Sequence, residues 1–204
     1  MTKFEEVLTS FWRDAIDDDH VALTDAAIAD AEEKLGVRLP AALLRLLRVR
    51  NGGHVADRWD AFPVEGSSWS EHYACFDYLE GILDENDSST ILDTPYLVQE
   101  WDLPAPVVLL HGDGHWWVAL DYRACGPTGE PSVVEIDSDG PGVVFLAPDF
   151  DSFVEGLTAS EQFLTDDQIA VATADAMDAG VHTGARAPKI QLPDRISLTD
   201  RPPG

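Results

Sequence analysis

"PVVLLHGDGHWWVALDYR", residues 106–123, carries the clearest strand signal in the chain. Val107–Leu110 is one apolar run and Trp116–Leu120 is another. Gly112-Asp113-Gly114 between them has turn chemistry, since glycine accepts positive φ and aspartate bonds to nearby backbone. Two short apolar runs around such a turn predict a β-hairpin. Val107–Leu110 shows no polar alternation, which predicts a central strand covered on both faces. Trp116 and Trp117 are adjacent, so their rings belong to opposite faces of the sheet.

C-terminal to the hairpin, "EPSVVEIDSD" (130–139) predicts a third strand after a turn built from Gly126, Pro127 and Gly129. "VVFLAP" (143–148) predicts a fourth, and "DFDSFVEGL" a short helix burying Phe150, Phe153, Val154 and Leu157. N-terminal to it, helical spacing of Phe4, Val7, Leu8, Phe11, Trp12 and Ile16 predicts a helix over 4–16. Thr24 is an N-cap for a second helix, with Leu23 and Ile28 as a hydrophobic staple and Gly36 as its stop. Pro40 opens a third, with Leu43, Leu44, Leu46 and Leu47 on its core side, and Asn51-Gly52-Gly53 closes it. Residues 54–105 mix aromatics, acids and turn residues. They predict short strands near Trp59–Val64 and Ile91–Val98, and an irregular or helical insert around Ser70–Leu83. Beyond 158, Thr165 and Gln168 form a capping box for a weak Ala- and Asp-rich helix, and the Pro-rich end reads as a flexible tail.

Charge is distributed unevenly. The 204 residues hold 13 Lys+Arg against 38 Asp+Glu, a formal net charge of -25. Residues 1–58 carry -3, residues 186–204 carry +2, and residues 59–185 carry -24 with Arg123 as their one basic group. Phosphate recognition needs Lys and Arg, so direct nucleic-acid binding is not expected. An anionic membrane is excluded on the same ground. The charge serves either solubility alone or the capture of a basic protein partner. The N-terminus lacks a long apolar run, and Cys75 and Cys125 are too few and too far apart for a disulfide framework, so two reduced thiols and a cytoplasmic location are expected.

Signatures of catalysis are missing. There is no GxSxG elbow, HExxH, P-loop or Rossmann glycine pattern. His111, Asp113 and His115 offer imidazole and carboxylate, but the turn specifies no third ligand and Asp113 suits the turn itself. His72 beside Cys75 is proximity in sequence, which is not how Cys–His pairs assemble. No metal, no cofactor and no enzyme activity are therefore expected.

"GVRLPAALLRLLRVRNGG" resembles the N-terminal signature of the SUKH superfamily, with Gly36, Leu39, Pro40, Asn51, Gly52 and Gly53 in its positions. "DGHWWVALDYR", "GEPSVVEID" and "LAPDFDSFVEGL" resemble that family's hairpin, next strand and closing helix. There Asp113, Gly114, Trp117, Leu120, Asp121, Pro131, Val133, Phe150 and Phe153 match. The resemblance covers roughly residues 20–157, which places a SUKH-like domain at 1–157 and a C-terminal extension at 158–204. It implies an α+β fold: a single domain with a mixed, largely antiparallel sheet and helices packed against it. It implies turn and packing roles for the motif residues and no catalytic ones. It also implies either an immunity protein that neutralises a cognate toxin, such as a nuclease, or an interaction scaffold of the cell-wall assembly regulator type. Partner contacts are expected at Trp69, Tyr73, Asp77, Glu80, Asp84, Glu85 and Asp87, which cluster in a segment with no basic residue.

Overall fold

The computed structural model describes residues 2–13, 21–83, 90–138 and 142–163. The expected helix and tail beyond 164 lie outside these residues.

Helix α1 (Lys3–Leu8) is capped by Thr2, whose hydroxyl accepts from Glu5 N, and it buries Phe4 and Val7. It is shorter than the apolar spacing predicts. Thr9 and Ser10 hydroxyls both donate to the Glu6 carbonyl, 2.8 and 3.1 Å away. The chain then extends: Trp12 bridges Val55 and Arg13 N donates to His54 O. Phe11 is buried from this extended segment instead of from a helix face.

Helix α2 (Asp25–Leu35) begins on Thr24, which accepts from Ala27 N at 3.1 Å, and ends at Gly36 with φ +69°. A Cβ is strained there, so the stop signal is physical. Helix α3 (Ala41–Val49) starts one residue later than expected, with Pro40 as its N-cap instead of its first residue, and buries Leu43, Leu46 and Leu47. Asn51 then ties its end to a distant segment. Its side-chain amide donates to Ile82 O at 2.9 Å and its Oδ1 accepts from Ile82 N at 2.8 Å. Gly52, at φ +92°, lies so close to Gly81 that a Cβ would come within 2.7 Å of Gly81 N. Asn-Gly-Gly is thus a docking joint between α3 and residues 79–82.

Two small antiparallel ladders follow, β1 (Gly53–His54) with β4 (Tyr78–Leu79) and β2 (Ala61–Pro63) with β3 (Tyr73–Cys75). Residues 70–83 therefore hold two short strands and no helix. The expected strand at Ile91–Val98 is a 3₁₀ turn (Ile91–Asp93) running into helix α4 (Thr94–Glu100). Thr90 and Asp93 form a reciprocal capping box, and Pro95 occupies the first turn, where its missing N–H costs a helix nothing.

The main sheet has the order β5-β6-β7-β8: β5 (Val107–Gly112), β6 (Trp116–Asp121), β7 (Ser132–Asp137) and β8 (Val143–Ala147). Its neighbours are all antiparallel. Among the described residues the parallel element is one isolated bridge, Gly81 to Thr90. Val107–Leu110 is buried on both faces as expected, yet β5 ends the sheet and is not central. The β4 segment covers part of that edge, with Glu80 N donating to Leu110 O at 2.8 Å. Trp116 enters the principal core with Val118 and Leu120. Trp117 enters a smaller one with Leu109 and Ile136, under Leu97 and Val98 of α4. Helix α5 (Phe150–Gly156), capped by Asp149, closes the principal core. Phe153 stacks on Phe62 and meets Phe76 edge-on. This is the α+β architecture expected. Among the described residues no helix is long and apolar enough to cross a membrane.

Candidate partner-binding surface

The loop joining β2 to β3, residues 64–72, extends the ladder: Val64 N donates to His72 O and Gly66 N to Glu71 O. Its tip is fastened to the main sheet by Glu135. This carboxylate sits in β7 between Val134 and Ile136 and is fully buried. It accepts from Ser67 Oγ at 2.7 Å and Ser68 N at 2.6 Å. A buried acid without such donors is costly, so Glu135 and the loop hold each other.

Trp69 follows at once. Its N–H donates to Ser67 Oγ, and its ring packs on Trp116 with centroids 5.7 Å apart. The indole is still 51% exposed. Trp69 is thus an exposed aromatic on a fixed backing. From Trp116 the rings continue through His111 (5.1 Å) to Tyr78 (6.5 Å) and His54 (5.0 Å).

Asp77 lies beside this track. Its Oδ1 is 3.0 Å from His111 Nε2, with the carboxylate half exposed and the imidazole buried. Beyond Asp77, the buried Nε2 has no polar partner among the described residues. The imidazole is the main cause holding Asp77 below the usual carboxylate range, against the opposing effect of burial. Cys75 is buried next to the pair. Burial first, and then the Asp77 and Asp60 carboxylates, push its thiol up to about 12. Cys125 is a free and exposed thiol.

Of the expected contact residues, Trp69 is exposed and Asp77 half exposed. Tyr73 is half buried and stacks on Phe163 at 5.1 Å. Glu80 is half buried, in the segment that covers β5. Asp84, Glu85 and Asp87 lie outside the described residues. Glu65 and Glu71, which flank the Trp69 loop and are exposed, were not anticipated, and neither was Glu135. The one acid inside "SVVEID" signals a buried carboxylate, but it reads equally as ordinary strand alternation. His111 and His115 do not converge: His111 faces Asp77 and Cys75, while His115 lies 5.7 Å from Trp101.

Many acids of the sheet-bearing half are internal acceptors. Asp60 accepts from Ser160 N and Oγ, both at 2.7 Å, and burial still raises its carboxyl above the ordinary value. Asp113 accepts from His115 N, and Glu155 from Phe4 N. Arg123 is held by Asp121 through Nε (2.8 Å) and Nη2 (2.7 Å). The cation of this half is therefore already engaged.

The motif positions take structural roles throughout. Gly36 and Gly114 adopt positive φ, Asn51 docks α3, and Leu39, Trp117, Leu120, Pro131, Val133, Phe150 and Phe153 are buried. What these features define is an α+β domain whose characteristic residues build turns and core. The chain belongs to the SMI1 / KNR4 family (SUKH-1), whose model matches residues 22–156. No curated protein matches it.

Proposed function

We propose that this protein is a non-enzymatic, cytoplasmic immunity protein that neutralises a cognate toxin by covering a basic surface. The observation that carries this reading is the β2–β3 loop: Trp69 is exposed on a rigid Trp116 backing, flanked by the exposed acids Glu65 and Glu71. A preorganised aromatic anchor costs little side-chain entropy on binding. Surrounding carboxylates complement the Lys- and Arg-rich cleft with which a nuclease holds phosphate. The charge of -24 over residues 59–185 would speed capture of such a partner. Membership in the SUKH-1 family supports a role in protein–protein interaction. The buried, protonated Cys75 thiol is the opposite of a reactive thiolate, which argues against a Cys–His nucleophile.

Tyr73, Asp77 and Glu80 are proposed contacts on this surface, and Asp84, Glu85 and Asp87 are proposed contacts from the sequence alone. Co-purification with the toxin domain encoded beside this gene tests the reading. Tight association that fails when Trp69 is replaced by Ala, or when the 77–87 acids are reversed to Lys, supports it. Undiminished association in both variants removes this surface from the account.

A further inference from the structure

Cys75, Asp77 and His111 are far apart in the chain and meet in space. β3 supplies Cys75, the turn into β4 supplies Asp77, and β5 supplies His111. Their ligand atoms, Sγ, a carboxylate oxygen and an imidazole nitrogen, all lie within 4.8 Å of one another. We propose that these three side chains form a binding site for one divalent cation of the zinc class.

Donor chemistry selects the metal. Sulfur, imidazole nitrogen and one carboxylate oxygen suit zinc, whereas magnesium and calcium take oxygen donors. Geometry is within reach. Zinc bonds of about 2.0–2.3 Å place tetrahedral donors roughly 3.3–3.8 Å apart, so shifts of about 1 Å close the trio. His111 supplies the nitrogen: it is 9% exposed, and its buried Nε2 already lies 3.0 Å from the Asp77 carboxylate. The half-exposed Asp77 provides an entry path. Three protein donors leave a fourth position open to water or to a donor from another molecule.

A metal there joins β3 to β5, under the ring of Trp116 that backs Trp69. The site does not depend on the toxin reading, since it concerns this chain alone.

Titration of the full-length, reduced protein with Co²⁺ tests the proposal. The expected result is a thiolate-to-cobalt charge-transfer band with tetrahedral d–d bands, saturating at one equivalent and displaced by Zn²⁺. Cys75→Ser abolishes the charge-transfer band, Cys125→Ser leaves it intact, and His111→Ala weakens Co²⁺ binding at least tenfold. Loose binding by surface acids produces no thiolate band, so it is distinguishable from the site. Wild-type protein with no stoichiometric band overturns the proposal whatever the variants do. A band that vanishes with Cys125→Ser and survives Cys75→Ser overturns it as well.

Discussion

The N-terminal helices and the β2–β3 region treat charge in opposite ways. In the helical part, cations sit beside acids: Arg13 with Asp57, Arg38 with Glu32, Arg45 with Glu5 and Arg48 with Asp25. The chain from β2 through β3 contains no Lys or Arg. Acids around it either accept hydrogen bonds from backbone and hydroxyls or face solvent. Charge settled locally contributes to a scaffold, while charge left unneutralised next to an exposed aromatic is available to another molecule. On the proposed reading, the contrast assigns the scaffold to α1–α3 and recognition to the loop carried by β2 and β3.

Phe153 bears most heavily on this contrast, because its helix α5 packs against α1, α3 and β2. It contacts Phe62 of β2, Phe76 and Phe150 in one core. Phe153→Ala should cost about 3–5 kcal/mol. Urea unfolding followed by circular dichroism should still show one transition, at a lower midpoint. Two separated transitions would mean that scaffold and surface fold independently.

Glu135→Ala should have a smaller and more local effect. It strips Ser67 Oγ and Ser68 N of their acceptor, with an expected loss of about 1–3 kcal/mol. Trp69 should leave Trp116 and its emission shift to the red. The difference spectrum against Trp69→Phe isolates that signal. An unchanged Trp69 environment would show that the loop is held by something other than Glu135.

Asp121 gives a pH-dependent check. Its carboxyl is held below the ordinary range, mainly by hydrogen bonding to Arg123, with burial opposing. A depressed folded pKa contributes stability above the unfolded value and loses it as pH falls through the folded one. Asp121→Asn should therefore be less stable than wild type near neutrality, and the gap should narrow as pH falls below the ordinary aspartate value of 3.8. Urea midpoints across this range measure it. A gap that is constant with pH would mean that the residue acts through packing alone.

The scaffold's surface pairs should matter least. Arg48 and Asp25 are both exposed, and Arg48→Ala should change thermal stability by less than about 1 kcal/mol, less still at high salt. A larger loss would mean that these pairs do more than balance charge.

Legibility in the sequence follows the same division. Helices α2 and α3 were readable because their signals are local: Thr24 caps, Gly36 takes positive φ, and leucines recur at three and four. Strands β6 to β8 and α5 were readable from apolar runs between turn residues. The end of α1 was not, because Phe11 and Trp12 keep helical spacing while their burial comes from extended backbone against Val55. Ile91–Val98 has strand composition, yet Thr90, Asp93 and Pro95 decide for a helix. β3 and β4 have three and two residues, too few to show alternation, and their partners lie up to 26 positions away. On the candidate surface, Trp69 was readable as an aromatic in a polar loop. Its clamp was not, since Glu135 is 67 and 68 positions from Ser68 and Ser67.

The most direct test is the association rate with the proposed basic toxin partner, measured by stopped-flow fluorescence from low to high salt. A rate that falls steeply with ionic strength, and falls again at low salt when Glu65 and Glu71 are changed to Lys, is the predicted result. A rate indifferent to salt and to both reversals would contradict recognition through this acidic, aromatic loop.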